Sequence, residues 1–139
     1  MGKINMARVV LGGLVAGVVV NLFEFVANGI ILDPDWRAAM TALGRQMPSG
    51  VAGFVVWGFL MGLGVIWLYA VARPRFGPGT KTAAIVALGY WIFAYAVPNF
   101  GTGVLGLFPN RLLVISTLVG LVELIAASLA GASLYKEPV

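Results

Sequence analysis

The chain contains no cysteine and no histidine, and only 10% of its 139 residues carry charge. Without cysteine there is no disulfide framework, no thiol redox centre and no thiolate metal site. Without histidine the usual haem and zinc ligands and the commonest general base are missing too. No Walker A motif or dinucleotide fingerprint occurs, and the glycines follow no strand. Nothing matches a calcium loop or a nucleophile elbow, and Ser116 and Thr117 have no base nearby in sequence. No catalytic residue, cofactor or metal is therefore expected, and an enzyme ranks behind the other function classes. The net charge of +4 comes from nine scattered Lys and Arg residues with no interleaved aromatic patch, so no nucleic-acid partner is expected.

What is abundant is apolar surface. Hydrophobic residues make up 60% of the chain, and a small soluble domain buries only part of such surface. A lipid bilayer removes that difficulty and becomes the expected partner. Four segments meet the requirement of about 20 mainly apolar residues for a spanning helix: Val9–Leu32, Val51–Ala72, Thr82 to about Phe108, and Leu112–Tyr135. The expected fold is all-α, an integral membrane bundle of four transmembrane helices forming one domain over residues 1–139. Lys3 and Arg8 before an apolar run, with Ala27-Asn28-Gly29 as a small-x-small site, also resemble a signal peptide. Ile30-Ile31-Leu32 carry the run past that site, so the segment is expected to be a retained span. In the third span Pro98 removes a backbone donor opposite Ala94, which predicts a helix to about Val97 followed by a kink or irregular stretch.

Lys3, Arg8, Arg73, Arg75, Lys81 and Lys136 fall on one side of four spans; Arg37, Arg45 and Arg111 fall on the other. The bias predicts both termini in the cytoplasm. In the first outer loop, Asp33-Pro34 predicts an N-cap and first turn, and Trp36, Met40, Leu43 and Met47 recur at helical spacing up to Pro48-Ser49-Gly50. This predicts a short amphipathic helix in the outer interface with Trp36 at head-group level; a lid over a site between the helices is the alternative.

Two carboxyl groups interrupt the apolar runs, Glu24 in the first span and Glu123 in the fourth. An ionisable group at bilayer depth costs about 2.5–3.5 kcal/mol on insertion scales, so both are candidate functional residues facing the bundle interior. Gly13, Gly17, Asn21, Glu24 and Asn28 share one helical stripe, and Ser116, Gly120, Glu123, Ala127 and Gly131 share another. Such stripes suit close helix contact, which makes Gly13, Gly17, Gly120 and Gly131 candidate packing positions between the first and fourth spans. Gly13–Gly17 and Gly58–Gly62 also fit the small-xxx-small spacing, for packing within the bundle or for self-association. Depth along the helices predicts an outer-half polar cluster of Asn21, Glu24, Asn28, Asn99 and Glu123, with Ser116 at its edge. No Lys, Arg or His lies within a span to pair with either acid, so at least one is expected to be protonated at neutral pH. Trp57, Trp67, Tyr69, Tyr90, Trp91 and Tyr95 are accounted for by interface belts and packing.

The Arg73-Pro74-Arg75-Phe76-Gly77-Pro78-Gly79 loop and the pair Asn21 and Glu24 resemble those of small uncharacterised four-span bacterial membrane proteins. That resemblance implies a bacterial inner membrane and no particular activity. In size the chain is similar to the small multidrug transporters, which have four helices and a glutamate in the first; Glu123 in the last span departs from their plan. Four spans in this length are also similar to the membrane glutathione-metabolising enzymes, but no span here contains the internal arginines of their site. Two functions stay open. The first is a non-enzymatic packing or accessory subunit, or a self-associating bundle. The second is a small proton- or cation-coupled transporter or binding protein using Glu24 and Glu123. The first leads, because no irregular backbone is expected inside the first, second or fourth spans to hold a substrate.

Overall fold

The computed structural model describes residues 2–137. The fold is all-helical, and no strand occurs among the described residues. Helix α1 runs Met6–Ile31, α2 Asp33–Ala42, α3 Ala52–Phe76, α4 Thr80–Val104 and α5 Asn110–Ala132. All but α2 are long and apolar enough to cross a membrane. They run up, down, up and down, with α1 between α3 and α5 and with α4 packed mainly on α5.

Local chemistry sets the helix ends. The Asn5 side chain accepts the Arg8 N–H and caps α1. Arg73 and Arg75 lie in the last turn of α3, where cations favour the exposed carbonyls. Gly77 and Gly79 then take φ of 82° and 116°, conformations open to glycine, and let the chain reverse into α4. The Gly79 N–H donates to the Tyr69 hydroxyl at 3.0 Å, and the Thr82 hydroxyl donates to the Gly77 carbonyl at 2.7 Å.

The termini meet at this same end. The Asn5 N–H donates to the Tyr135 hydroxyl (3.3 Å), and the Asn5 amide donates to the Lys136 carbonyl (3.2 Å). Arg73 bonds Glu137 at 3.0 Å and lies over the Tyr135 ring. Tyr135 in turn meets Tyr69 edge-on.

Small residues bring the backbones together. Gly62 of α3 packs onto Gly13 and Gly17 of α1, beside Leu63 and Phe59. The two small-xxx-small segments are thus each other's partners within the chain. Gly12, one residue off the expected stripe, meets Gly131 of α5 under the side chain of Ile66. Gly120 faces the Tyr95 ring of α4. The expected contact of the first and fourth spans through Gly17 and Gly120 is therefore corrected: Gly17 is turned towards α3 and Gly120 towards α4. Ile66, Leu124, Val20 and Val65 fill the centre, and the Ser128 hydroxyl donates to the Ala83 carbonyl at 2.8 Å.

Pro98 does not end its helix. The backbone widens into a π turn over Ile92–Ala96, where the Val97 N–H reaches the Ile92 carbonyl, and helix resumes over Val97–Val104. The turn that Pro98 would close on Ala94 lacks its donor, and the chain loosens immediately before it. A second π turn, Ala27–Ile31, ends α1, so the first span is not regular throughout. Helix α2 is shorter than the apolar stripe predicted: Gly44 at φ 71° ends the segment, and Met47 lies beyond it. Its N-cap is Leu32, and Asp33 sits in the first turn, bonded to Arg37 at 2.7 Å.

Candidate functional site

Three helices, α1, α4 and α5, converge at the two acids. Glu24 projects from α1 one turn before the π turn that carries Asn28, and Glu123 projects from the middle of α5. Tyr95, in the π turn of α4, stands between them. Its hydroxyl donates to Glu123 Oε2 at 2.6 Å, and Glu24 Oε1 lies 3.3 Å from the same hydroxyl oxygen. The short bond falls in the range of hydroxyl-to-carboxylate contacts. The longer one lies beyond the usual hydroxyl distance. One hydroxyl proton can serve one acid at a time.

The network extends outward from Glu24. The Asn28 amide donates to Glu24 Oε2 at 2.6 Å, and the Trp36 indole of α2 donates to Asn28 Oδ1 at 2.9 Å. Trp36 also meets the Phe108 ring edge-on at 5.4 Å. A continuous polar chain thus runs Trp36, Asn28, Glu24, Tyr95, Glu123, from half-buried Trp36 to a glutamate with no exposed surface. Trp36 bonds a side chain of the neighbouring helix. At the inner end, Glu123 Oε1 is buried without a hydrogen-bond partner among the described residues. A buried acceptor left unpaired costs about 1–3 kcal/mol.

Of the expected cluster, the structure joins Glu24, Asn28 and Glu123. The other three bond elsewhere. The Asn21 amide donates to the Gly17 and Val55 carbonyls, because its place on α1 turns it towards α3. Asn99 donates to Thr117 Oγ1 at 2.7 Å, one turn past Tyr95. The Ser116 hydroxyl closes on the Leu113 carbonyl of its own helix. Tyr95 is the member that sequence reasoning passed over, since its ring was accounted for by packing. The one available signal was its place three residues before Pro98, where helix geometry is disturbed. Trp36 was singled out for a different role.

No family model, no curated protein and no solved structure matches this chain. The functional case rests on the geometry alone.

Proposed function

We propose that this chain is an integral membrane protein, placed in a bacterial inner membrane with both termini cytoplasmic. In this proposal Glu24, Tyr95 and Glu123 form its proton-holding site, the coupling centre of a small proton-coupled transporter or binding protein. The observation that carries the reading is the Tyr95 hydroxyl set between two carboxyl groups. A proton on Glu24 can pass to Glu123 through that hydroxyl: Tyr95 gives its proton to Glu123 and takes the one from Glu24. Acids within spans mark proton pathways. π turns recur at functional positions, and here both lie at the site. The π turn in α1 also removes the reason for ranking a packing role first, which was regular backbone in that span. Exposed Leu22, Phe25, Phe93 and Phe100 support contact with lipid tails. Helix α2 lies in the outer interface on this reading, closing the outer end of the polar chain.

A second reading, an accessory or self-associating bundle, is favoured by one observation. Helix α4 buries far less of itself than the other three long helices.

Infrared difference spectra from about pH 5 to about pH 9 test the site in the wild type, Glu24→Gln, Glu123→Gln and Tyr95→Phe. The expected result is a carboxyl band that titrates in the wild type, vanishes in one glutamine variant and shifts in Tyr95→Phe. All four proteins should remain folded. A band that neither titrates nor responds to Tyr95→Phe would make the acids structural glue and overturn the proposal.

A further inference from the structure

A groove of about 530 Å³ opens between α2 and the segment 106–112. Its volume falls in the range of small-molecule sites. Ala42, Leu43, Leu107, Phe108 and Leu112 make apolar walls. The charged groups lining it are Asp35 and Arg111, 3.6 Å apart and with side chains 43% and 77% exposed. An ion pair that loose and that exposed contributes little, so a competing ligand can open it. Beyond Arg111 on α5, Val114 and Leu118 are exposed and apolar, one and two turns along.

We propose that this groove binds a phospholipid with a phosphoethanolamine head group. The guanidinium of Arg111 takes the phosphate, for which its planar fork is suited. The carboxylate of Asp35 accepts from the ammonium. Opposite charges a few ångströms apart complement a zwitterion of the same span, while the walls and the Val114–Leu118 face take the acyl chain. Both rim charges are needed for the preference. A purely anionic head group meets Asp35 with the wrong sign, and a trimethylammonium group has no N–H to donate. This ligand class follows from the groove and not from the carboxyl site, although it shares with it the placement in a membrane.

Native mass spectrometry of the full chain tests this, with the protein released from detergent containing equal amounts of palmitoyl-oleoyl phosphatidylethanolamine, phosphatidylcholine and phosphatidylglycerol. The wild type should retain phosphatidylethanolamine about threefold over the other two, the scale of one exposed charge pair. Asp35→Asn should move the preference to phosphatidylglycerol by freeing Arg111. Arg111→Gln should lose retention of both. Both positions are exposed enough for the variants to fold, and Glu123→Gln should leave the lipid ranking unchanged. Equal retention of the three lipids by the wild type, or one ranking shared by wild type and both rim variants, overturns the groove proposal alone. Retention of no lipid overturns the groove proposal as well and leaves the membrane placement to the labelling experiment.

Discussion

A Cβ built on Gly12 would come 2.5 Å from the Gly131 carbonyl oxygen, and one built on Gly131 would come equally near the Gly12 oxygen. Each obstacle is backbone, which cannot turn aside as a side chain can. Gly12→Ala and Gly131→Ala should each destabilise by about 1–3 kcal/mol, as overpacked cores do. Gly120 is a different case, because the obstacle there is the ring of Tyr95. Gly120→Ala should fold while pushing that ring off Glu123, and so should change the carboxyl band more than the stability. Gly89 meets nothing within 4 Å, and Gly89→Ala should stabilise by about 0.5–1 kcal/mol through helix propensity alone. Denaturation of the four variants in one detergent checks the ranking. Equal effects at Gly12 and Gly89 would mean that α1 and α5 do not approach as described.

At the scale of elements, the long helices were legible because unbroken apolar runs of this length have few other uses. Their irregularities were not. One extra residue in a turn leaves the hydrophobic pattern almost unchanged, so neither π turn could be read from spacing. Pro98 gave a signal, but it predicted an end to regular helix near Val97, and the helix reaches Val104. The lost donor opposite Ala94 is accommodated within the bundle. Pro98→Ala supplies that donor and should let the turn tighten to α geometry, with α4 at least as stable as before. Proline in a helix interior costs about 3 kcal/mol relative to alanine, and the π turn recovers part of this. Tightening would also turn Tyr95 away from the acids. Thermal denaturation and the carboxyl band, read on the same sample, check both effects; a band identical to wild type would detach the proline from the site.

For the whole molecule, the antiparallel order of α1, α3, α4 and α5 places both terminal segments and the turn at Gly77–Gly79 at one end, with α2 at the other. A chain without cysteine suits labelling. Thr80→Cys should react with an impermeant maleimide only from the cytoplasmic side, and Ser49→Cys only from outside, in keeping with the six-to-three distribution of basic residues. The opposite pattern would invert the orientation. The site was half legible at this scale. Glu24 and Glu123 stood out because charge is rare in the spans, and Asn28 followed from its stripe. The bridge between the acids depends on how α4 seats against α5, which no spacing within one helix records.

The two ends of the bundle are closed by different kinds of contact. Where the termini meet, Asn5, Arg73, Tyr135 and Glu137 tie three separate stretches of chain by hydrogen bonds, an ion pair and a cation over an aromatic ring. At the other end α2 is held by the buried cluster of Leu32, Ala39 and Leu112, together with an indole hydrogen bond, an edge-on ring contact and a loose ion pair. Water entering past Trp36 would meet Glu24 before Glu123, because that is their order along the polar chain.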